Sequence, residues 1–215
     1  ARFLNRHDEP VYSPTYGVSY VYAYDPEGNL LEMEKLDGEQ LLKHAGYLDN
    51  WDKDNKPIWM SQVSLFTPDR DRLMQFYHNI FRTNPHRIVE VPVGEFGDNL
   101  FDIDNAKVQI GWFRLNRQSK VMEILQFLNP PTPQSMIERE PTSLGYSFSL
   151  EVSDIEAEYQ RLKALGIEFF SPPVKLGRFV QAYARDIDGN IFSLRQPVDS
   201  DGPFSVKAYD KRGGL

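Results

Sequence analysis

Residues Gly145 to Gln196 constrain the fold most, because they spell out one complete unit whose elements each have their own physical cause. Tyr146-Ser147-Phe148-Ser149-Leu150-Glu151-Val152 alternates apolar with polar, the period of two of a strand with one face on a core. Ser153-Asp154-Ile155-Glu156 reads as a capping box with Ser153 as N-cap. Ile155, Tyr159, Leu162 and Leu165 follow at helical spacing, and Gly166 supplies a left-handed stop. Glu168–Ser171 is a short strand cut off by Pro172-Pro173, and Arg178–Arg185 is another. Asp186–Asn190 forms a tight turn before a last strand, Ile191–Gln196. The order is β-α-β-β-β.

Parts of that unit recur. Gln62-Val63-Ser64-Leu65-Phe66-Thr67-Pro68-Asp69 echoes Ser147 to Asp154, and Asp25-Pro26-Glu27-Gly28-Asn29-Leu30-Leu31-Glu32 echoes Asp186 to Ser193. The chain therefore divides into the C-terminal part of a truncated first module (1–36), a polar connector (37–57), a second module (58–128), a proline-rich linker (129–144), a third module (145–198) and a tail (199–215) that is expected to fray. In the first module the expected strands are Arg2–Asn5, Gly17–Tyr24 and Leu30–Lys35. In the second, Thr67 caps a helix with Pro68 at its first position and a buried stripe of Leu73, Phe76, Tyr77 and Ile80. Its later strands are Val89–Val93, Val108–Leu115 and Val121–Phe127.

The first module has neither its opening strand nor its helix. A sheet with an uncovered edge and a bare apolar face is unfavourable alone. The expectation is that upstream residues, or a second copy of the chain in a homo-oligomer, complete it.

Composition narrows the function classes. A net charge of -7 argues against nucleic acid and anionic membrane as partners. No apolar run reaches the roughly 18 residues that a membrane helix needs, and no signal-peptide pattern opens the chain. Zero cysteines exclude disulfides, thiolate catalysis and zinc–thiolate sites, and fit a cytoplasmic protein.

The β-α-β-β-β order, the strand-capping Asp, the helix ending in Leu165-Gly166, the Pro pair and the Asp-x-x-Gly-Asn hairpin together resemble the vicinal oxygen chelate superfamily. Glyoxalase I, extradiol dioxygenases and bleomycin-type resistance proteins belong to it. The resemblance implies an α+β fold in which β-α-β-β-β modules pair into a half-open, eight-stranded cup. The second and third modules, joined by the shorter linker, are the pair expected from sequence. In that superfamily a divalent metal sits in the cup on first- and fourth-strand residues. Carried over by position, the resemblance offers Glu32 from the first module, Gln62 and Glu123 from the second, and only Ser147 and Ser193 from the third. Glu32, Gln62 and Glu123, with one more residue from the absent strand, form a glyoxalase-like ligand set if the first and second modules pair instead, with Glu123 also moving the proton; if the second and third pair, Gln62, Glu123 and two serines are too few for a tight metal. Alternation supports the cup face for all three, since each glutamate lies between apolar residues of the opposite face.

Other residues carry weaker signals. His44, His78 and His86 read as surface or loop histidines, and His7 is the one whose loop could reach a cup. Tyr20, Tyr22 and Tyr24 share a strand face, which packs a sheet or lines a pocket. No phosphate loop, nucleophile elbow or His-Glu-x-x-His occurs. Two readings follow. The first is a metal-dependent enzyme (Fe, Mn, Ni, Zn or Mg) acting on a small oxygenated substrate by ring-cleaving or glyoxalase/isomerase-like chemistry. The second is a metal-free binding or resistance protein with a vestigial cup.

Overall fold

The computed structural model describes residues 3–36, 61–115, 121–133 and 146–207. The connector 37–57, most of the linker 129–144, and His44 lie outside them. The chain forms two compact units, residues 1–134 and 135–215. The first and second modules thus share a unit, where sequence reasoning expected the second to group with the third.

Unit one holds two sheets. The first module contributes β1 (Val11–Ser13), β2 (Val18–Tyr24) and β3 (Leu30–Leu36), all antiparallel in the order β1-β2-β3. The expected strand at Arg2–Asn5 is replaced by β1. Leu4 N–H still donates to Tyr22 O, and Asn5 Oδ1 accepts from Tyr22 N–H, so this stretch lies along β2 without being a regular strand.

The second module supplies β4 (Gln62–Phe66), α1 (Arg70–Phe81), β5 (Arg87–Val91), α2 (Glu95–Phe101), β6 (Lys107–Phe113) and β7 (Val121–Asn129). Its sheet order is β4-β7-β6-β5, with β4 and β7 parallel. Helix α1 covers one face through Leu73, Met74, Tyr77 and Ile80. Its N-cap is Asp69, not Thr67: the Asp69 side chain accepts from Arg72 N–H, while Thr67 Oγ1 accepts from Asp69 N–H.

Helix α2, which sequence periodicity did not reveal, ties the sheets of unit one together by packing against β1 and β2. Asn5 Nδ2 donates to Leu100 O, Arg6 N–H donates to Asn99 O, and the Arg6 guanidinium pairs with Asp102 and Asp104. Tyr20 and Phe96, and Tyr22 and Phe101, meet as ring pairs.

Unit two repeats the second module's plan with β8 (Phe148–Glu151), α3 (Ile155–Ala164), β9 (Val174–Leu176), β10 (Phe179–Arg185) and β11 (Ile191–Pro197) in the order β8-β11-β10-β9. Asp154, not Ser153, caps α3 by accepting from Ala157 N–H. The strand expected at Glu168–Ser171 is only a bridge from Phe169 to Ala184, and the true edge strand follows the prolines. In both modules a fourth-strand glutamine seats the helix. Gln126 Oε1 accepts from Arg70 N–H, and Gln196 Oε1 accepts from Ile155 N–H. The tail was expected to fray, but its described part folds back. Glu151 Oε1 accepts from Ser205 Oγ and Val206 N–H, and Phe204 meets the Phe179 ring.

Candidate metal-binding site

Antiparallel register puts Arg87 opposite Trp112 and Trp112 opposite Glu123, and the parallel pair puts Ser64 opposite Glu123. Side chains in register share a face, so Arg87, Trp112, Glu123 and Ser64 form one row across the second module's sheet. This face is the one away from α1. Below the row, Ile110, Val108 and Leu125 form an apolar core with Val89, Phe101 and Phe127 packed on it. The row is therefore the polar end of a face that is otherwise greasy.

Glu123 is only 5% exposed, and its Oε2 accepts from Gln62 Nε2 at 2.7 Å and from Ser64 Oγ at 2.6 Å. The nitrogen end of the Gln62 amide is thereby used, and Gln62 Oε1 is buried with no hydrogen-bond partner among the described residues. A buried orphan acceptor is costly unless something positive meets it.

The first module's sheet repeats the geometry. Tyr22 pairs in register with Glu32 and Tyr20 with Glu34, which places all four on one face. Leu31 and Met33 lie on the other and are exposed. The Tyr22 hydroxyl donates to Glu32 Oε1. Burial, and then the charges of Glu32 and Glu123, push the Tyr22 phenol well above its ordinary pKa. The Tyr20 phenol is also pushed up, by burial first and then by Glu34 and Glu32, while Arg87 opposes them and Glu123 adds to them. Both module-one tyrosines therefore sense Glu123, a residue of the other module.

The sequence-predicted residues fare unequally. Gln62 and Glu123 are joined directly by a hydrogen bond, and Glu32 lies in the same unit, where its charge and that of Glu123 act on one phenol. Ser193, in unit two, is fully buried and bonded to Ser149 Oγ and Gln181 Nε2, a self-satisfied polar network, while Ser147 is exposed. His7 lines a separate open groove of about 420 Å³ with Glu9, Glu95 and Phe96. His78 and His86 use Nδ1 on the backbone oxygens of Thr83 and Trp112. Sequence reasoning missed Ser64, Arg87 and Trp112. The shared face of Gln62 and Ser64 was a usable signal for the first, and a strand begun two residues late hid the second.

The oxygens of Gln62, Glu123 and Glu32 are the donors that a divalent cation would use here. Among the described residues no three His, Cys, Asp or Glu side chains cluster at ligand spacing, so a site here would have to draw on the Gln62 amide oxygen. That oxygen is one of four buried side-chain polar atoms without a hydrogen-bond partner among the described residues. Carboxylate and amide oxygens together are hard donors suited to such an ion. Among the described residues no helix is long and apolar enough to cross a membrane.

Among curated proteins, none matches the chain significantly. Solved structures do. A glyoxalase family protein from Bacillus cereus aligns at 24% identity and a TM-score of 0.59, covering 68% of this chain and 98% of its own. Glyoxalase I from Zea mays aligns at 17% identity and a TM-score of 0.55 over 91% of this chain, which spans 59% of the maize protein. These likenesses speak to the fold. The family model described as Glyoxalase/Bleomycin resistance protein/Dioxygenase superfamily matches residues 59–194, more than half of the sequence. The chain belongs to the glyoxalase/bleomycin resistance protein/dioxygenase superfamily, the vicinal oxygen chelate fold.

Proposed function

We propose that unit one is a metal-dependent enzyme centre acting on a small substrate with two neighbouring oxygens. Gln62, Glu123 and Glu32 would hold a divalent cation. The observation that carries the reading is the buried Gln62 Oε1, without a partner among the described residues, beside the buried Glu123 carboxylate. A metal bound there would supply Lewis-acid stabilisation of negative charge developing on the substrate's oxygens.

The protein's own part follows from the contacts. Gln62 and Ser64 fix Glu123 Oε2, so Glu123 is aimed and cannot swing freely. Ser64 is the positioning residue. Glu123 is the group that would take a proton from carbon or hydroxyl and return it, as glyoxalase- or isomerase-type chemistry requires. Tyr22 holds Glu32 by donating to it, and its raised pKa keeps the phenol protonated as a donor throughout the neutral range. The apolar floor of Ile110, Leu125 and Phe127 excludes water from below.

The test is elemental analysis of purified protein after mild chelation and reloading with Fe, Mn, Ni, Zn or Mg. About one ion per chain is expected, with Glu123→Ala losing it while keeping its circular dichroism spectrum. Wild-type protein that retains no stoichiometric metal under any loading would overturn the reading in favour of a metal-free binding protein.

A further inference from the structure

Arg87 stands at the end of the row that contains Glu123, and the mechanism above does not use it. Its guanidinium carbon lies 4.4 Å from the centroid of the Tyr16 ring and 4.8 Å from that of the Trp112 ring. Tyr16 belongs to the first module and Trp112 to the second, so the cation sits where the two modules of unit one meet. Ring contacts engage the flat face of a guanidinium and leave its in-plane N–H groups available. Among the described residues no carboxylate forms an ion pair with Arg87, and no hydrogen bond involves its guanidinium. Its charge nevertheless reaches the site, since it acts on the same Tyr20 phenol as Glu32, Glu34 and Glu123.

The charges decide what such a group is for. Glu32, Glu34 and Glu123 all act on the Tyr20 phenol, and their summed negative charge opposes an anionic ligand, of which a divalent ion would cancel only two units. A half-buried guanidinium held against two rings, with no ion pair or hydrogen bond among the described residues, offsets that charge and offers the planar fork that fits a carboxylate. Arg87 and Glu123 are two strands apart in one row, a separation of about 10 Å at ordinary strand spacing.

We propose that Arg87 is a specificity-determining residue that binds a carboxylate on the substrate, a few bonds away from the oxygen pair that faces Glu123. The substrate class is then a small oxygenated acid with a terminal carboxylate. This rests on the metal-centre reading above and goes beyond it by naming the second anchor point.

The experiment uses the full chain loaded with Mn or Ni and titrates a series of 2-hydroxy acids by calorimetry. Lactate has no distal carboxylate; malate, 2-hydroxyglutarate and 2-hydroxyadipate carry one at increasing distance. The expected result is a member of the series that binds roughly ten- to hundredfold tighter than lactate, the effect of one charge-assisted fork. Arg87→Met should abolish that increment, and Arg87→Lys, which keeps the charge and the stacking, should restore only part of it. Thermal melts of both variants confirm folding before titration, and Arg87→Lys carries the test if Arg87→Met is unfolded. Metal uptake with a flat series, or an increment that survives in both variants, overturns this inference alone. Failure of wild-type protein to take up metal overturns the functional reading and this inference with it.

Discussion

The Gln62 amide nitrogen donates to Glu123 Oε2 at 2.7 Å, which orients the amide and leaves its oxygen a buried acceptor without a partner among the described residues. The opposite amide orientation would set oxygen against carboxylate, so the chemistry itself selects this one. A glutamine in this place is therefore both a clamp on the neighbouring carboxylate and the holder of an uncommitted acceptor oxygen.

Replacing Gln62 with Glu tests both roles. The variant sets a second carboxylate within hydrogen-bond reach of Glu123, and two like charges there cannot both ionise without cost. In chelator, stability should fall by roughly 1–3 kcal/mol, read as a lowered melting temperature. Added Mn or Ni should recover most of the loss. An equal deficit with and without metal would mean that the two groups do not share an ion.

The phenols give a second, independent readout. Tyr22 and Tyr20 have folded-state pKa values raised above the unfolded value, chiefly by burial and then by the neighbouring glutamates. Their contribution to stability is fully present below the ordinary tyrosine pKa, about 10, and is lost as pH climbs above it. Spectrophotometric titration should show these two of the 11 tyrosines ionising only together with unfolding. In Tyr22→Phe the alkaline transition should move to higher pH, because one buried phenol no longer pulls toward the unfolded state. A phenolate signal from all tyrosines in protein that keeps its native circular dichroism would contradict this.

Sequence periodicity made the modules legible because each strand has one face on a core and each helix carries a buried stripe. Leu73, Tyr77, Ile155, Tyr159 and Leu162 are all buried as their spacing required, and Gly166 takes the left-handed conformation expected of a helix stop. The candidate ligands came from a different source, position in the resembled superfamily, and of them the structure joins Gln62 to Glu123 by a hydrogen bond. What escaped were features set by tertiary contact. Helix α2 is seven residues long with the poor helix former Gly97 in its middle, too short to show a period. Strand β1, three residues between prolines, is too short to show a period. The grouping of modules depends on Asn5, Arg6 and the rings of Tyr20 and Tyr22 reaching α2, contacts that no local pattern announces.

Packing between α1 and its sheet yields a third prediction. Gly111 lies in β6 beneath Met74, and a Cβ added to it would fall 2.5 Å from the Met74 sulfur and 2.6 Å from its Cε. Gly111→Ala should destabilise by about 1–3 kcal/mol through overpacking. Because the clash is with the end of a flexible side chain, adding Met74→Val should recover part of that loss. The double-mutant cycle in urea measures the coupling, and strictly additive effects would show that the helix moves instead of the methionine.

The last prediction concerns the repeated hairpin that sets the fourth strand of the first and third modules. Asp186 is 6% exposed; its Oδ1 accepts from the backbone N–H groups of Asp188 and Asn190, and its Oδ2 accepts from Asn190 Nδ2. Asp25 makes the same three contacts with Glu27 and Asn29. One carboxylate thus satisfies three donors that the turn would otherwise leave unpaired, so the interaction fixes where β11 and β3 begin. Asp186→Ala should cost about 2–4 kcal/mol, because buried donors lose a charged acceptor. Asp25→Ala should cost less, since water can replace the carboxylate at its exposed turn. Its effect should also depend on pH in a defined direction. The Asn29 side chain, then the backbone of Asn29, holds the Asp25 carboxyl below its ordinary pKa. The stability it gives is therefore present above the ordinary carboxylate range and lost as pH falls through the lowered folded value. Urea titrations of wild type and Asp25→Ala should converge as pH drops toward 3. A gap between them that stays constant from pH 7 to pH 3 would show that the turn is held by its backbone conformation and not by the carboxylate.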